Sequence, residues 1–89
     1  MNYPKISIVT ITFNAEKTIE QTILSVCNQN YKNIEYIVID GQSTDSTFSI
    51  VNRYSDKIDI IINEPDRGIS DAFNKGILRS TGDLVFILS

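Results

Sequence analysis

The side chains best suited to chemistry in this 89-residue chain are acids, amides and hydroxyls that follow apolar runs. They are Thr12, Asn14 and Glu16 after the first run, Asp40, Ser43 and Asp45 after the second, and Asp66 after the third. A carboxylate in such a place can accept the imino N–H of a pyrimidine or a pair of ribose hydroxyls, while free loop amides donate to carbonyl and phosphate oxygens. The same residue types also cap helices and close turns, and type alone does not decide between the two uses. Composition closes off other chemistries. With no His and a single Cys, neither a zinc site nor a His-based relay can be assembled. Glycine stands only at Gly41, Gly68, Gly76 and Gly82, so neither the dinucleotide fingerprint nor the Gly-x-x-x-x-Gly-Lys-Ser/Thr phosphate loop can be written. Cys27, set in an apolar stripe with no His to activate it, reads as a small packing residue.

Charge narrows the partners. Eight Lys and Arg against eleven Asp and Glu give a net charge of −3, which argues against a nucleic-acid binder that tracks a phosphate backbone. A phosphate-bearing ligand would need local help from helix N-termini or a metal. One cysteine forms no internal disulfide, so the chain suits a reducing compartment and the cytoplasm is the expected location. The apolar run after MNYPK is too short to span a bilayer and lacks the small-residue cleavage site of a secretion signal.

These residues are positioned by alternating short strands and helices. Residues 6–13, 34–39, 58–62 and 84–88 are apolar and rich in β-branched side chains, and each is predicted to be a strand. Thr18 with Gln21 has the form of a capping box, opening a helix whose buried stripe is Ile19, Ile23, Val26 and Cys27. Asp45 or Ser46 caps a second helix carrying Phe48, Val51 and Tyr54. A third covers 69–79, with Ala72, Phe73 and Ile77 inward and Gly82 as its terminator. The expected fold is α/β, three layers with a mostly parallel sheet of about four strands and right-handed crossovers of roughly twenty residues. Ligands of such sheets bind beyond the carboxyl ends of the strands, where the polar residues above are gathered. The final strand lacks a following helix, and its exposed edge is expected to favour self-association.

Three segments in order carry a resemblance: ISIVTITFNAEKTIEQTILSVCNQNYKNIEYIVIDGQSTDST, NEPDRGISDAFNKGI and STGDLVFILS. Together they resemble glycosyltransferase family 2, the inverting nucleotide-sugar transferases, and the middle segment resembles the members that build bacterial surface polysaccharides. The resemblance implies the nucleotide-binding half of a GT-A, Rossmann-like fold over residues 1–89, taking a nucleotide diphosphate sugar, usually a UDP-sugar. It implies that Ile11 by its backbone, with Thr12, Asn14 and Glu16, approaches the base and ribose, and that Asp40, with Gly41 and Ser43, contacts the base. Asp71, Asn74 and Lys75 match a helix segment near the donor site, with helix surface as the competing reading; Asp71 and Lys75 are taken as nucleotide-binding.

Two departures matter. The family often has two consecutive acids after its second strand, the second contacting the base, whereas this chain has Asp40-Gly41. The family also follows the strand matching LVFILS with an Asp motif holding Mn²⁺ or Mg²⁺ and, further on, a catalytic Asp or Glu, and neither occurs here. The leaving diphosphate develops charge that the ion normally neutralises, so the expectation is a truncated, nucleotide-binding portion, catalytically incompetent by itself, with no metal of its own. Its glycan or lipid-linked acceptor, and peripheral association with a membrane, belong to the full-length enzyme. The competing readings are a receiver-like signalling module with Asp40 as phosphoacceptor, and a structural remnant that binds nothing.

Overall fold

Apolar β-branched runs make four strands, β1 (Ile6–Thr12), β2 (Ile34–Asp40), β3 (Ile60–Asn63) and β4 (Leu84–Leu88), alternating with helices α1 (Ile19–Cys27), α2 (Thr47–Arg53) and α3 (Ile69–Arg79). This computed structural model describes residues 3–88; Met1, Asn2 and Ser89, the ends of the expected domain, lie outside the described residues. All pairings are parallel and the strand order is β3-β2-β1-β4. The chain steps from β1 to β2 to β3 in one direction, then crosses back to β4 on the far side of β1. That reversal opens a crevice above the carboxyl end of β1. The β1–β2 register runs from Ile6↔Ile34 to Thr12↔Asp40, so two polar strand ends lie side by side at that edge.

Alternation along the strands feeds two cores, giving the expected α/β/α layers. On one face Ile8, Tyr36 and Val38 pack against Ile19, Ile23 and Val26 of α1 and Ile50 and Val51 of α2. On the other Val9, Ile37 and Ile39 pack against Ala72 of α3. Burial pushes the Tyr36 phenol up to about 12, although a 2.8 Å hydrogen bond with the Thr10 hydroxyl works the other way. At the amino edge, Glu35 ties the α3–β4 turn to the sheet, accepting from Ser7 Oγ (2.8 Å) and from Thr81 N–H (2.9 Å) and Oγ1 (3.0 Å). Partial burial works to raise the Glu35 pKa, but the Thr81 and Ser7 hydrogen bonds and Lys5 outweigh it and hold it below the ordinary value.

The structure differs from the sequence expectations at element ends. β1 stops at Thr12, not Phe13, because Asn14 takes a left-handed φ of 48° and turns the chain away. β3 begins at Ile60, since a 3-10 turn at Ser55–Lys57 precedes it and Ile58 is buried as a core plug. Thr18 stands at the start of α1 but makes no side-chain cap; the N–H groups of Thr18 and Ile19 donate to Ala15 O instead. Buried α2 residues are Thr47, Ile50 and Val51, while Phe48 and Tyr54 are half-buried. α3 has the expected bounds, but Ile77 faces outward at 52% exposure and Gly76 faces inward. The close approach of β1 explains this: a Cβ on Gly76 would lie 2.5 Å from Val9 Cγ1. α3 ends at Ser80 rather than Gly82, and Gly82 instead donates its N–H to Ser7 Oγ at 2.9 Å. β4 is an edge strand, as β3 is at the other side, and Leu84, Val85, Phe86 and Leu88 are all exposed.

Gly76→Ala is therefore expected to cost about 1–3 kcal/mol of folding stability through overpacking, whereas Ile77→Ala stays within about 0.5 kcal/mol. Urea unfolding of both variants measures the difference, and equal midpoints would refute the packing of α3 on Val9.

Candidate functional site

At the carboxyl edge, the β1–α1 and β2–α2 loops are laced together by their own side chains. Asn14 donates its N–H to Ser43 Oγ (2.8 Å) and accepts at Oδ1 from Thr44 N–H (2.8 Å). Ala15 N–H donates to Thr47 Oγ1 (2.7 Å), and Glu16 N–H to Asp45 Oδ2 (3.3 Å), while Glu16 Oε1 accepts from Ser46 N–H (3.1 Å). Asp45 Oδ1 takes both the N–H (2.9 Å) and the hydroxyl (2.5 Å) of Thr47, the first turn of α2. Partial burial works to raise the Asp45 pKa, but the Thr47 and Glu16 donors prevail and hold it below the ordinary range.

Asp40 lies beneath this lacing and is fully buried. Its Oδ1 accepts from Ser43 Oγ (2.5 Å), and its Oδ2 from Ser43 N–H (3.0 Å) and Asn63 Nδ2 (2.5 Å). The carboxylate thus ties β2 to its own following loop and to the end of β3. With both oxygens engaged and no surface, it offers nothing to an incoming phosphoryl group, which removes the phosphoacceptor that a receiver-like reading needs.

Beside it opens a cleft of about 350 Å³. It is lined by the apolar residues Ile11, Phe13, Ile69 and Ala72 together with Thr12, Gly41, Asp66 and Gly68. Phe13 and Ile69 are 60% and 61% exposed, so two large apolar side chains stand open at the mouth. The bare backbone of Gly41 makes room: a Cβ there would lie 2.9 Å from Asp66 Oδ2 and 3.5 Å from Phe13 Cδ1. Thr12 Oγ1 is buried without a hydrogen-bond partner among the described residues, and Thr12 also lines a second cleft of about 200 Å³ alongside α1.

Behind Asp66 stands Lys75. Its Nζ lies 2.8 Å from Asp66 Oδ1, 3.2 Å from Glu64 Oε1 and 3.5 Å from Asp71 Oδ2, and it donates to Pro65 O at 2.9 Å. The hydrogen bond to Asp66, with help from Glu64 and Asp71, raises the ammonium pKa well above its ordinary value. Asp71 accepts from Arg67 N–H (3.0 Å), and that bond first, then Lys75, keeps its carboxyl below the ordinary range.

The sequence-derived set is gathered at one edge but divides by what its atoms do. Ile11, Thr12 and Gly41 line the cleft; Asn14, Glu16, Ser43 and Asp45 brace the loops; Asp40 is internal. Asp71 and Lys75 sit on α3 behind Asp66, and Asn74 is exposed. Sequence reasoning gave no site role to Phe13 or Ile69, and offered Asp66 only within the group of acids that follow the strands. The signal available for Asp66 was Gly41, whose missing side chain leaves space for an acid from elsewhere. Among the described residues no three His, Cys, Asp or Glu side chains converge as ion ligands. Glu64, Asp66 and Asp71 gather around an ammonium instead, so these residues do not fit the Mn²⁺ or Mg²⁺ implied by the resemblance.

The family described as "Glycosyl transferase family 2" matches residues 7–89. An "Uncharacterized glycosyltransferase" of Haemophilus influenzae is 40% identical over 91 residues, covering 99% of this chain and 36% of that protein. The "Putative glycosyltransferase EpsE" of Bacillus subtilis is 35% identical over 86 residues, covering 92% and 31%. The chain thus spans roughly a third of the length of these relatives. Among solved structures, a mannosyltransferase from Pyrobaculum calidifontis in complex with GDP-Man and Mn²⁺ superimposes with a TM-score of 0.85 at 27% identity, covering 94% of this chain and 26% of that one. S. aureus TarS 1-349 in complex with UDP gives 0.82 at 26% identity, with the same coverage of 94% and 26%.

Asp40→Ala is expected to cost about 1–3 kcal/mol, because a fully buried carboxylate is removed and the Ser43 and Asn63 donors lose their acceptor; chemical denaturation measures it, and a change below about 0.5 kcal/mol contradicts the bracing role. Asp45 and Asp71 titrate below their unfolded value, so their stabilisation is complete above about pH 4 and is lost as pH falls further. The thermal midpoint should drop between about pH 4 and pH 2, less steeply in Asp45→Asn, and an unchanged slope would contradict this.

Proposed function

Because this chain belongs to glycosyl transferase family 2, we propose that it forms the nucleotide-sugar-binding part of a sugar transferase, with the nucleoside seated in the cleft above β1 and β2. The observation that carries this reading is the pairing of an exposed aromatic, Phe13, with an acceptor, Asp66 Oδ2, across the bare backbone of Gly41. A base needs both: a flat apolar partner for its face and a polar partner for its edge. Asp66 Oδ2 accepts no hydrogen bond from the described residues, so it is free to take the imino N–H of a pyrimidine. Ile11 and Thr12, at the end of β1, line the cleft beside them. The donor is a UDP-sugar in this reading; the two nucleotide-bound structures above carry UDP and GDP-Man, so the choice of base rests on the single acceptor of Asp66.

The loop lacing holds this rim rigid, so little ordering remains to oppose binding. Transfer itself requires that charge on the leaving diphosphate be stabilised as an acceptor hydroxyl attacks the anomeric carbon. A divalent ion supplies that stabilisation when bound, and the residues described here hold the nucleoside rather than the ion. The acceptor we propose is a glycan or a lipid-linked sugar; a relative 34% identical is named "GalNAc(5)-diNAcBac-PP-undecaprenol beta-1,3-glucosyltransferase". No helix of the described residues is long and apolar enough to cross a membrane. The proposed location is the cytoplasm, with peripheral attachment to the membrane where a lipid-linked acceptor is used.

Titrating the chain with UDP should shift the amide resonances of residues 11–13, 41 and 66, with affinity unchanged on adding Mn²⁺. Phe13→Ala should weaken binding about tenfold, the worth of one base–aromatic stack. Shifts confined to β4 or to the outer surface of α1 would overturn the assignment.

A further inference from the structure

We infer that Lys75 sets the nucleobase preference of this cleft by occupying one oxygen of Asp66, so that a single acceptor faces the base; this rests on the nucleoside reading above. Asp66 Oδ2 fills the space a side chain at position 41 would take, 2.9 Å from the Cβ that Gly41 lacks. The acid that is missing beside Asp40 in sequence is thereby replaced in space by one from the loop after β3. Its other oxygen is held: Oδ1 lies 2.8 Å from Lys75 Nζ. Lys75 is itself fixed by Pro65 O (2.9 Å) and Glu64 (3.2 Å), and the Lys75 and Asp66 side chains are only 19% and 13% exposed. The carboxylate is clamped from behind and cannot turn both oxygens into the cleft.

A uracil edge presents one donor, N3–H, between two carbonyl acceptors, and one free carboxylate oxygen satisfies it. A guanine edge presents two adjacent donors, N1–H and the N2 amino group, which need both oxygens. With Oδ1 taken, one guanine donor enters the cleft unpaired, and an unpaired donor removed from water loses affinity. Lys75 touches no nucleotide in this account. It is a positioning residue that turns a bidentate acceptor into a single one, and the selectivity comes as much from what it denies guanine as from what it leaves for uracil.

The test is calorimetric titration of UDP and GDP into the wild type, Lys75→Met, Lys75→Arg, Glu64→Gln and Asp66→Ala, with folding checked by circular dichroism. The wild type is expected to prefer UDP. Lys75→Met should lower the UDP:GDP affinity ratio about tenfold, one charge-assisted hydrogen bond's worth. Lys75→Arg, which keeps a cation on Oδ1, should retain the preference, and Glu64→Gln, which weakens one of the contacts that fix Lys75, should lower the ratio by less than Lys75→Met does. Should Lys75→Met fail to fold, Asp66→Ala carries the test, its ratio falling to about one as the reading acceptor is lost. An unchanged ratio in Lys75→Met or in Asp66→Ala, while UDP still perturbs the Phe13 and Gly41 resonances, overturns the clamp alone. A wild type that prefers GDP also overturns it. Absence of any nucleotide effect on the cleft overturns the nucleoside reading and the clamp together.

Discussion

The buried carboxylate of Asp40 is the constraint on which the carboxyl edge depends. A charge removed from water needs donors on both oxygens, and those it finds come from Ser43 in the next loop and Asn63 at the end of β3. Meeting that requirement fixes the path of the chain after β2. Ser43 in turn receives the Asn14 N–H, so the loop after β1 is fixed through the loop after β2. The Thr12↔Asp40 register brings these strand ends together, and the hydrogen bonds between the loops convert that proximity into a defined rim. Asn14 and Gln42 adopt left-handed backbone at φ 48° and 66°, a conformation that the same network stabilises.

Rigidity is unevenly distributed as a result. β1 and β2 are covered on both faces and share seven register pairs, and the laced loops extend that stiffness to the edge. Towards β4 the apolar side chains are bare and the sheet has an open edge. The cleft belongs to the stiff side, between the β1 and β2 ends and the start of α3. Gly41 is what makes it a cleft, since any side chain there would collide with Asp66. A pocket on stiff backbone presents its acceptor without further ordering, which suits recognition of a flat, rigid base.

Much of this was legible in the sequence. Four β-branched runs separated by helical spacing give the strand count, the parallel class and the layer arrangement, and α3 was bounded as observed. Apolar periodicity misplaced Ile77, because the pattern carries no information about how closely β1 approaches Gly76. The Thr18–Gln21 pattern matched a capping box, but the chain enters α1 through a turn at Ala15, a choice made by neighbouring loops rather than by local spacing. At the site, residue types and strand ends pointed to the carboxyl edge, where the structure gathers Ile11, Thr12, Asn14, Asp40, Gly41 and Ser43. Residue type could not separate Asp40 from Asp66: Asp40 ends β2 opposite Asn63 of β3, whereas Asp66 lies in the loop beyond β3, and only burial and partners distinguish the two carboxylates. Phe13 escaped notice because a strand pattern absorbs an aromatic residue readily, and only the turn at Asn14 shows it released from the sheet.

The decisive measurement is a crystal structure of the chain with UDP. The account requires the uracil ring against Phe13, its N3 about 2.6–3.2 Å from Asp66 Oδ2, and Asp40 still bonded to Ser43 and Asn63. A base bound to Asp40 with those internal bonds broken, or a nucleotide seated away from Gly41, would contradict it.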